Sequence, residues 1–325
     1  MITLSDIQAA QARIRGVAVR THLIPFTGLS AEDSRKLFLK PENQQPIGAF
    51  KIRGAYNKIA ALSDSERSRG VITYSSGNHA QGVAYAARAL KTKAVIVMPS
   101  NAPAIKRQAT AALDAEIVTV GPGSTERQLK AESLAAEHGY VIVPPYNDEF
   151  IIAGQGTMGL EILEDMPDVD TVLAPVGGGG MLAGIAAAIK LTKPSVKVIG
   201  VEPELANDAQ TSFRSGKLSS LSAEQVTRTL ADGLRTQSIG DINFAHFQKY
   251  VDDIITVTED EIRQSMKYLS ANRATVAEPS GAVATAGFIF HARELPASKI
   301  TVAVISGGNI EPAMLTELRG SNSGR

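Results

Sequence analysis

Through the middle of this sequence, short runs of β-branched and other apolar residues alternate with Ala- and Leu-rich stretches, and that alternation leaves few folds open. The runs are apolar at consecutive positions, as strands buried on both faces must be, which predicts parallel sheets wrapped in helices. The expected strands are 71–74, 94–98, 116–120, 141–143, 171–174, 196–201 and 300–305, with 80–90 and 127–136 reading as helices. Capping boxes mark helix starts at Ser5 with Gln8, Ser63 with Glu66, and Thr258 with Glu261. The fold class is therefore α/β. Three of the strands fall in a block from 70 to 139, bracketed by the segments that carry chemistry. This spacing predicts a small α/β domain, 70–139, inserted in a larger one formed by 1–69 and 140–325, with a cleft between them.

Composition removes several classes of function. The 325 residues hold 33 Lys plus Arg and 33 Asp plus Glu, so net charge gives no reason to expect nucleic acid or an anionic membrane as partner. Aromatics are 5% with no Trp, too few for a base-stacking platform. The absence of Cys excludes disulfides, thiolate metal sites and a Cys nucleophile, and it suits a reducing cytoplasm. Met1 to Ser5 has no basic region leading into an apolar core, so no signal peptide is expected. Residues 171–189 are free of charge and long enough to span a bilayer. Pro175 and the four glycines Gly177 to Gly180 interrupt that stretch, which reads instead as a buried strand, a turn and a buried helix.

Those four glycines stand where a strand hands over to a helix, and free N–H groups at a helix start suit a phosphate. Glycine there lets the backbone approach the anion closely. The same run fits a dinucleotide fingerprint, Gly178-x-Gly180-x-x-Ala183, with Glu202 as the ribose-binding acid, so a nicotinamide-dependent oxidoreductase stays open on this segment alone. A second segment runs Lys40-Pro41-Glu42-Asn43 and then Gly48 to Gly54. In it Lys51 lies between Phe50 and Ile52, a setting that fits either a desolvated nucleophilic amine or an ordinary solvated lysine. Ser75-Ser76-Gly77-Asn78-His79 ends a strand and opens a helix, offering hydroxyls, an amide and N–H groups to a carboxylate, or merely a cap. Ser306-Gly307-Gly308-Asn309 follows the last strand, where a plain turn would also serve.

Taken together, these segments resemble the threonine/serine dehydratase and serine racemase family of pyridoxal-phosphate enzymes, of the tryptophan-synthase-β fold type (fold type II). The resemblance runs from about Thr21 to Asn309 and rests on GAFKIRGA, SSGNHAQG, AGQGT at 153–157, GGGG and SGGN in the family's order. It implies that Lys51 forms the internal aldimine with pyridoxal 5'-phosphate and removes the substrate α-proton. Ser76 would be the hydroxyl on the opposite face. Asn78 would contact the phenolic oxygen, and Gly177, Gly178, Gly179, Gly180 and Met181 would surround the phosphate. Phe50 and Gly233 would lie on the two ring faces, Ser306 on the ring nitrogen, and Glu278 beside the cofactor. Ser75, Ser76, Gly77, Asn78 and His79 would line the substrate carboxylate site. A serine partner protonates the ring nitrogen less well than a carboxylate would, which favours prompt loss of a β-leaving group.

The implied activity is that of a pyridoxal-phosphate-dependent ammonia-lyase. It would eliminate water from a β-hydroxy amino acid, threonine or serine by default, to give a 2-oxo acid and ammonia. Serine racemization is an alternative, as is dehydration of 3-hydroxyaspartate or phenylserine; Arg127, with Arg235 as a second candidate, would bind the extra carboxylate. A ligand-binding protein on the same fold is the non-catalytic alternative. Glu202, Ala206 and Asp208 match the family's divalent-cation pattern, whose oxygen ligands suit Mg²⁺ or Ca²⁺. The resemblance also implies a homo-oligomer, dimer or tetramer. As the chain stops soon after SGGN, no C-terminal regulatory domain is expected. One departure stands out: Ala49 replaces the family's frequent Ser before the Phe-Lys pair.

Overall fold

The computed structural model describes residues 1–28, 35–75, 77–102, 104–121 and 124–320, with the backbone alone at 124 and 125. The described residues form ten strands: β1 Ile24–Pro25, β2 Lys36–Pro41, β3 Val71–Tyr74, β4 Ala94–Pro99, β5 Glu116–Val120, β6 Val141–Ile142, β7 Thr171–Pro175, β8 Lys197–Pro203, β9 Asp253–Val257 and β10 Ile300–Ile305. They form a six-stranded sheet in the order β1-β2-β10-β7-β8-β9 and a four-stranded sheet in the order β5-β4-β3-β6. Among the strand pairs of the described residues, β1–β2 is antiparallel and the rest are parallel.

The helices are α1 Leu4–Ile14, α2 Lys51–Ala60, α3 Asp64–Arg69, α4 Asn78–Ala89, α5 Ala104–Ala111, α6 Ser124–His138, α7 Glu149–Asp165, α8 Gly180–Thr192, α9 Asp208–Ser215, α10 Ala223–Val226, α11 Asp241–Tyr250, α12 Glu259–Ser270, α13 Pro279–Phe290 and α14 Pro312–Gly320. No helix among the described residues is long and apolar enough to cross a membrane.

Consecutive strand residues go to opposite faces, and both faces are covered. In the large sheet Val172, Ala174, Val302 and Val304 enter one core with α7 and α8, while Leu173, Ala303 and Ile305 enter another with α12 and α13. The small sheet repeats the pattern, with Val71, Ile96 and Met98 on one side and Ile72, Val95 and Val97 on the other. Each such fully buried Val or Ile contributes about 1.5–3 kcal/mol, and this double burial explains the unbroken apolar runs in the sequence.

Three strands carry weaker signals. β2 holds Lys36 and Lys40 and ends in Pro41, a composition that hides a strand, and β1 and β9 were likewise outside the expected set. The small sheet takes in β6 through its pairing with β3, so it continues past the expected boundary at 139. At the N-terminus the capping box is Thr3 with Asp6, not Ser5 with Gln8, and the helix begins at Leu4. The Ile2 amide donates to His246 Nε2 at 3.1 Å, which fixes the chain just before Thr3. The boxes at Ser63 and Thr258 are formed as read.

Candidate active site

The carboxyl ends of β3, β7 and β10 and the starts of α2, α4 and α8 surround one cavity of about 380 Å³. Its wall includes Phe50, Lys51, Ser75, Gly77, Asn78, His79, Arg127, Gly177 to Gly180, Met181, Gly233, Glu278 and Ser306. Segments separated by up to most of the chain are thus brought to one place. Ser76 lies outside the described residues.

Lys51 opens α2. Its Nζ donates to the Pro145 carbonyl at 2.7 Å and stands 5.2 Å from the centre of the Phe50 ring. Although its side chain retains some exposure to the cavity, protein encloses the amine, and burial pulls its pKa down to about 8. No carboxylate pairs with it among the described residues, so the neutral amine is accessible near physiological pH.

Across the cavity, Gly177 to Gly180 lead into α8, with Gly179 in the left-handed region at φ 94°. A Cβ on Gly178 would fall 2.2 Å from Tyr146 Cδ1, and one on Gly180 would fall 2.9 Å from the Tyr146 carbonyl. The loop is held by Asn243 Nδ2, which donates to the Gly178 carbonyl at 2.6 Å. What remains open is a helix N-terminus whose N–H groups make no hydrogen bond among the described residues, a geometry that suits an anion.

The residues between these two poles are locked by hydrogen bonds. Asn309 Nδ2 donates to Asn78 Oδ1 at 2.8 Å, and Asn78 Nδ2 donates to Glu278 Oε1 at 2.5 Å. Gly233 N–H donates to Ser280 Oγ at 2.9 Å. Ser306 presents its carbonyl to the Phe50 amide at 3.0 Å, while its hydroxyl donates to the Ser280 carbonyl at 3.3 Å. Ala49 forms a backbone bridge with Gly307, leaving a buried methyl group where a hydroxyl would face this cluster.

The 75–79 segment is more particular than its composition suggests. Gly77 N–H already donates to Ser75 Oγ at 3.3 Å. His79 is buried, with Nε2 3.0 Å from the Val143 carbonyl. Burial, with Lys51 nearby, lowers its pKa to about 3. The ring is therefore neutral, Nε2 carries the proton, and Nδ1 is a buried acceptor with no partner among the described residues. Such a ring offers no donor to a carboxylate, which leaves the backbone N–H of the first helical turn for that task.

Among the cavity residues to which the sequence assigns no role are Lys106, Tyr146, Asp232 and Ser280. Lys106 resembles any helix lysine, yet it is buried, with Nζ 2.6 Å from Asp232 Oδ2 and 3.3 Å from Glu278 Oε2. Burial raises the Glu278 pKa, and Lys106 opposes that shift. The one signal for Tyr146 is its position just before α7. By contrast Arg127, on α6, has no acidic partner among the described residues; its Nε is buried without a hydrogen bond, and burial lowers its pKa. Arg235 also lines the cavity and donates to the Thr229 carbonyl at 2.9 and 2.6 Å.

Outside this cavity, Glu202 ends β8, Ala206 lies in the following 3₁₀ turn and Asp208 begins α9. Glu202 accepts from the Ala209 and Gln210 amides at 3.1 and 2.9 Å, so it caps α9. Both carboxylates are fully buried. Burial raises the Glu202 pKa, with Asp208 adding to the effect, and burial pushes Asp208 up to about 7. Neither Asp208 oxygen accepts a hydrogen bond of normal geometry among the described residues. No group of three or more His, Cys, Asp or Glu side chains placed to hold a metal ion occurs among the described residues.

A lysine amine and a glycine-lined helix start facing one cavity can hold a phosphorylated carbonyl compound at both ends. The model for the family described as pyridoxal-phosphate dependent enzyme matches residues 14–307. The chain belongs to that family. Within it, the chain is 44% identical over 318 residues to the L-threonine ammonia-lyase of Thermotoga maritima, covering 98% of this chain and 78% of that one. It is 40% identical over 309 residues to the L-threo-3-hydroxyaspartate ammonia-lyase of Saccharomyces cerevisiae, covering 95% and 94%. A solved structure of maize serine racemase superposes with a TM-score of 0.92 at 36% identity, covering 98% and 97%. The fold is that of the fold type II pyridoxal-phosphate enzymes, as the motifs imply.

Proposed function

We propose that this family member is an ammonia-lyase that dehydrates and deaminates a small β-hydroxy amino acid. The observation that carries this reading is the desolvated Lys51 amine at one end of the cavity and the glycine-lined start of α8 at the other. The residues present fit pyridoxal phosphate: Lys51 for covalent attachment, Gly177 to Met181 for the phosphate, Asn78 and Glu278 at the phenolic side, Ser306 at the ring nitrogen, and Phe50 and Gly233 on the faces. When bound, that group supplies an electron sink for the pair left at the substrate α-carbon.

This chain's own residues do the rest. The N–H groups at the start of α4 orient the substrate carboxylate. Lys51, with its pKa pulled down to about 8, is a base of suitable strength for the α-proton near neutral pH. The family motif SSGNHAQG assigns to Ser76 the opposite face and proton transfer to the leaving hydroxyl. Loss of that hydroxyl as water, followed by hydrolysis, yields a 2-oxo acid and ammonia. Since Lys51 begins the reaction by removing the α-proton, racemization of serine is a compatible side reaction.

Threonine and serine are the default substrates. The unpaired Arg127 favours a second reading, an additional carboxylate on the substrate as in 3-hydroxyaspartate, because a half-buried guanidinium without an acid gains most from one. Oxo acid release from L-threonine, L-serine and L-threo-3-hydroxyaspartate separates the readings. If Arg127 binds that carboxylate, Arg127→Ala lowers kcat/KM for the hydroxyaspartate by about 100-fold, from one lost charge-assisted pair, and leaves threonine nearly untouched. Equal effects on both substrates would remove the role.

The orphaned Asp208 oxygens beside Glu202 fit a divalent cation held by these two carboxylates and the Ala206 carbonyl. Such an ion would neutralise two buried charges and fix the start of α9; all-oxygen ligation suits Mg²⁺ or Ca²⁺. In Glu202→Gln, stimulation of turnover by added Mg²⁺ or Ca²⁺ is expected to vanish. An unchanged metal response would end this assignment.

A further inference from the structure

Two sequence motifs take no part in the chemistry above, Lys40-Pro41-Glu42-Asn43 and the AGQGT block at 153–157. The fold brings them together around Arg53, two residues along α2 from Lys51. Arg53 is wholly buried and forks onto two carboxylates at once. Its Nε and Nη2 donate to Glu42 at 2.8 and 2.9 Å, and its Nη1 and Nη2 donate to Glu161 at 2.7 and 2.8 Å. Thr157 Oγ1 and the Val19 carbonyl accept two more bonds, each 3.1 Å. Lys40 Nζ donates to Glu161 Oε2 and to the Thr21 carbonyl, both at 2.5 Å. Thr21 Oγ1 and Gln45 Nε2 complete the shell of Glu42 at 2.6 and 3.0 Å. Two cations and two anions are thus closed off from water with no net charge.

Stability is a weak reason for such a group. Desolvating four charges offsets much of their attraction, and well-packed apolar side chains often do as well. What directional bonds add is a fixed geometry, and the surrounding packing needs it. α2 and α7 meet glycine to glycine: a Cβ on Gly154 would fall 2.6 Å from Gly54 Cα and 2.7 Å from the Arg53 carbonyl. A Cβ on Gly54 would fall 2.9 Å from the Ile151 carbonyl. Where the two backbones touch there are no side-chain ridges to stop one helix sliding or turning on the other. Besides the Arg53 forks, that contact is pinned by the Gln155 side chain, which accepts from Gly54 N–H at 3.2 Å, and, further along α2, by Asn57 and Lys58.

We propose that the Lys40–Glu42–Arg53–Glu161 group sets the rotation and axial position of α2 and so aims the Lys51 amine, which makes Arg53, Glu42 and Glu161 positioning residues for the reaction. The inference rests on the reading that Lys51 carries the cofactor. Because the group is neutral, it acts through geometry; burial alone lowers the Lys51 pKa.

Arg53→Lys keeps the charge and loses the fork. In the full-length holoenzyme it is expected to lower kcat about 10- to 100-fold with KM within about twofold, as a slightly misaimed reacting group does. The visible circular dichroism of the lysine-bound cofactor should weaken while the far-ultraviolet spectrum stays wild type. Thr157→Val removes one bond to Arg53 and is expected to move kcat and the visible signal the same way by about two- to threefold, which covers a failure of Arg53→Lys to fold. Variants that melt lower yet keep wild-type kcat and visible dichroism would overturn the positioning role. A wild-type protein without any visible band would instead overturn the Lys51 assignment beneath it.

Discussion

Lys51→Ala is expected to fold normally and to lose turnover by about 10⁴-fold or more, since it removes both the attachment point and the α-carbon base, and general base catalysis alone reaches about that size. The effect on stability has the opposite sign. The folded state lowers the Lys51 pKa from 10.5 to about 8 by burial, so between those values the unfolded chain binds the proton more tightly. Stability of the cofactor-free protein therefore rises with pH through that window, and below about pH 8 the full cost of burying the charge is felt. The alanine variant lacks that cost. Thermal melts without cofactor should show it at least as stable as the wild type at pH 7, with a shallower rise toward pH 10. Retained elimination, or a variant that cannot fold, would remove Lys51 from its assigned role.

The second large effect is expected at Gly178. Its backbone is held by Asn243, and a Cβ would meet the root of the Tyr146 ring at 2.2–2.4 Å, where the side chain has little freedom to move away. Gly178→Ala should therefore push the ring aside, destabilise the fold by about 1–3 kcal/mol and disturb the N–H groups offered to the phosphate. Affinity for pyridoxal phosphate is expected to fall by about 100-fold, comparable to losing one or two charge-assisted hydrogen bonds. Pyridoxal, which lacks the phosphate, is the control. Its binding should fall far less, and equal losses for the two compounds would move the phosphate site elsewhere.

Much of this architecture is legible from local pattern. Strands buried on both faces betray themselves by unbroken apolar runs, and the glycines at the start of α8 stand out because no side chain fits there. The less visible parts share a physical cause: they depend on partners distant in the chain. Lys40 makes β2 look like a surface segment until Glu161 is placed beside it. Lys106 looks solvated until Asp232 and Glu278 close around it from the other side of the cavity. The resemblance puts His79 on the substrate carboxylate site, and only the Val143 carbonyl on Nε2 shows that its other ring nitrogen is an acceptor. Ser5 with Gln8 carries the local capping signature, yet the cap is Thr3 with Asp6, and the Ile2 amide just before it is held by His246 on α11. Local propensity names the candidates, and tertiary contacts select among them.

The central claim is that Lys51, among the lysines, carries pyridoxal phosphate. It is tested most directly by reducing the cofactor-loaded protein with borohydride, digesting it and locating the added pyridoxyl mass. The cavity contains a second lysine, Lys106, whose pKa burial tends to lower but Glu278 and Asp232 raise overall, which keeps it charged and unreactive. The label is expected on the peptide bearing Lys51 and not on Lys106. A label on Lys106 or on any other lysine, or no label at all, would contradict it.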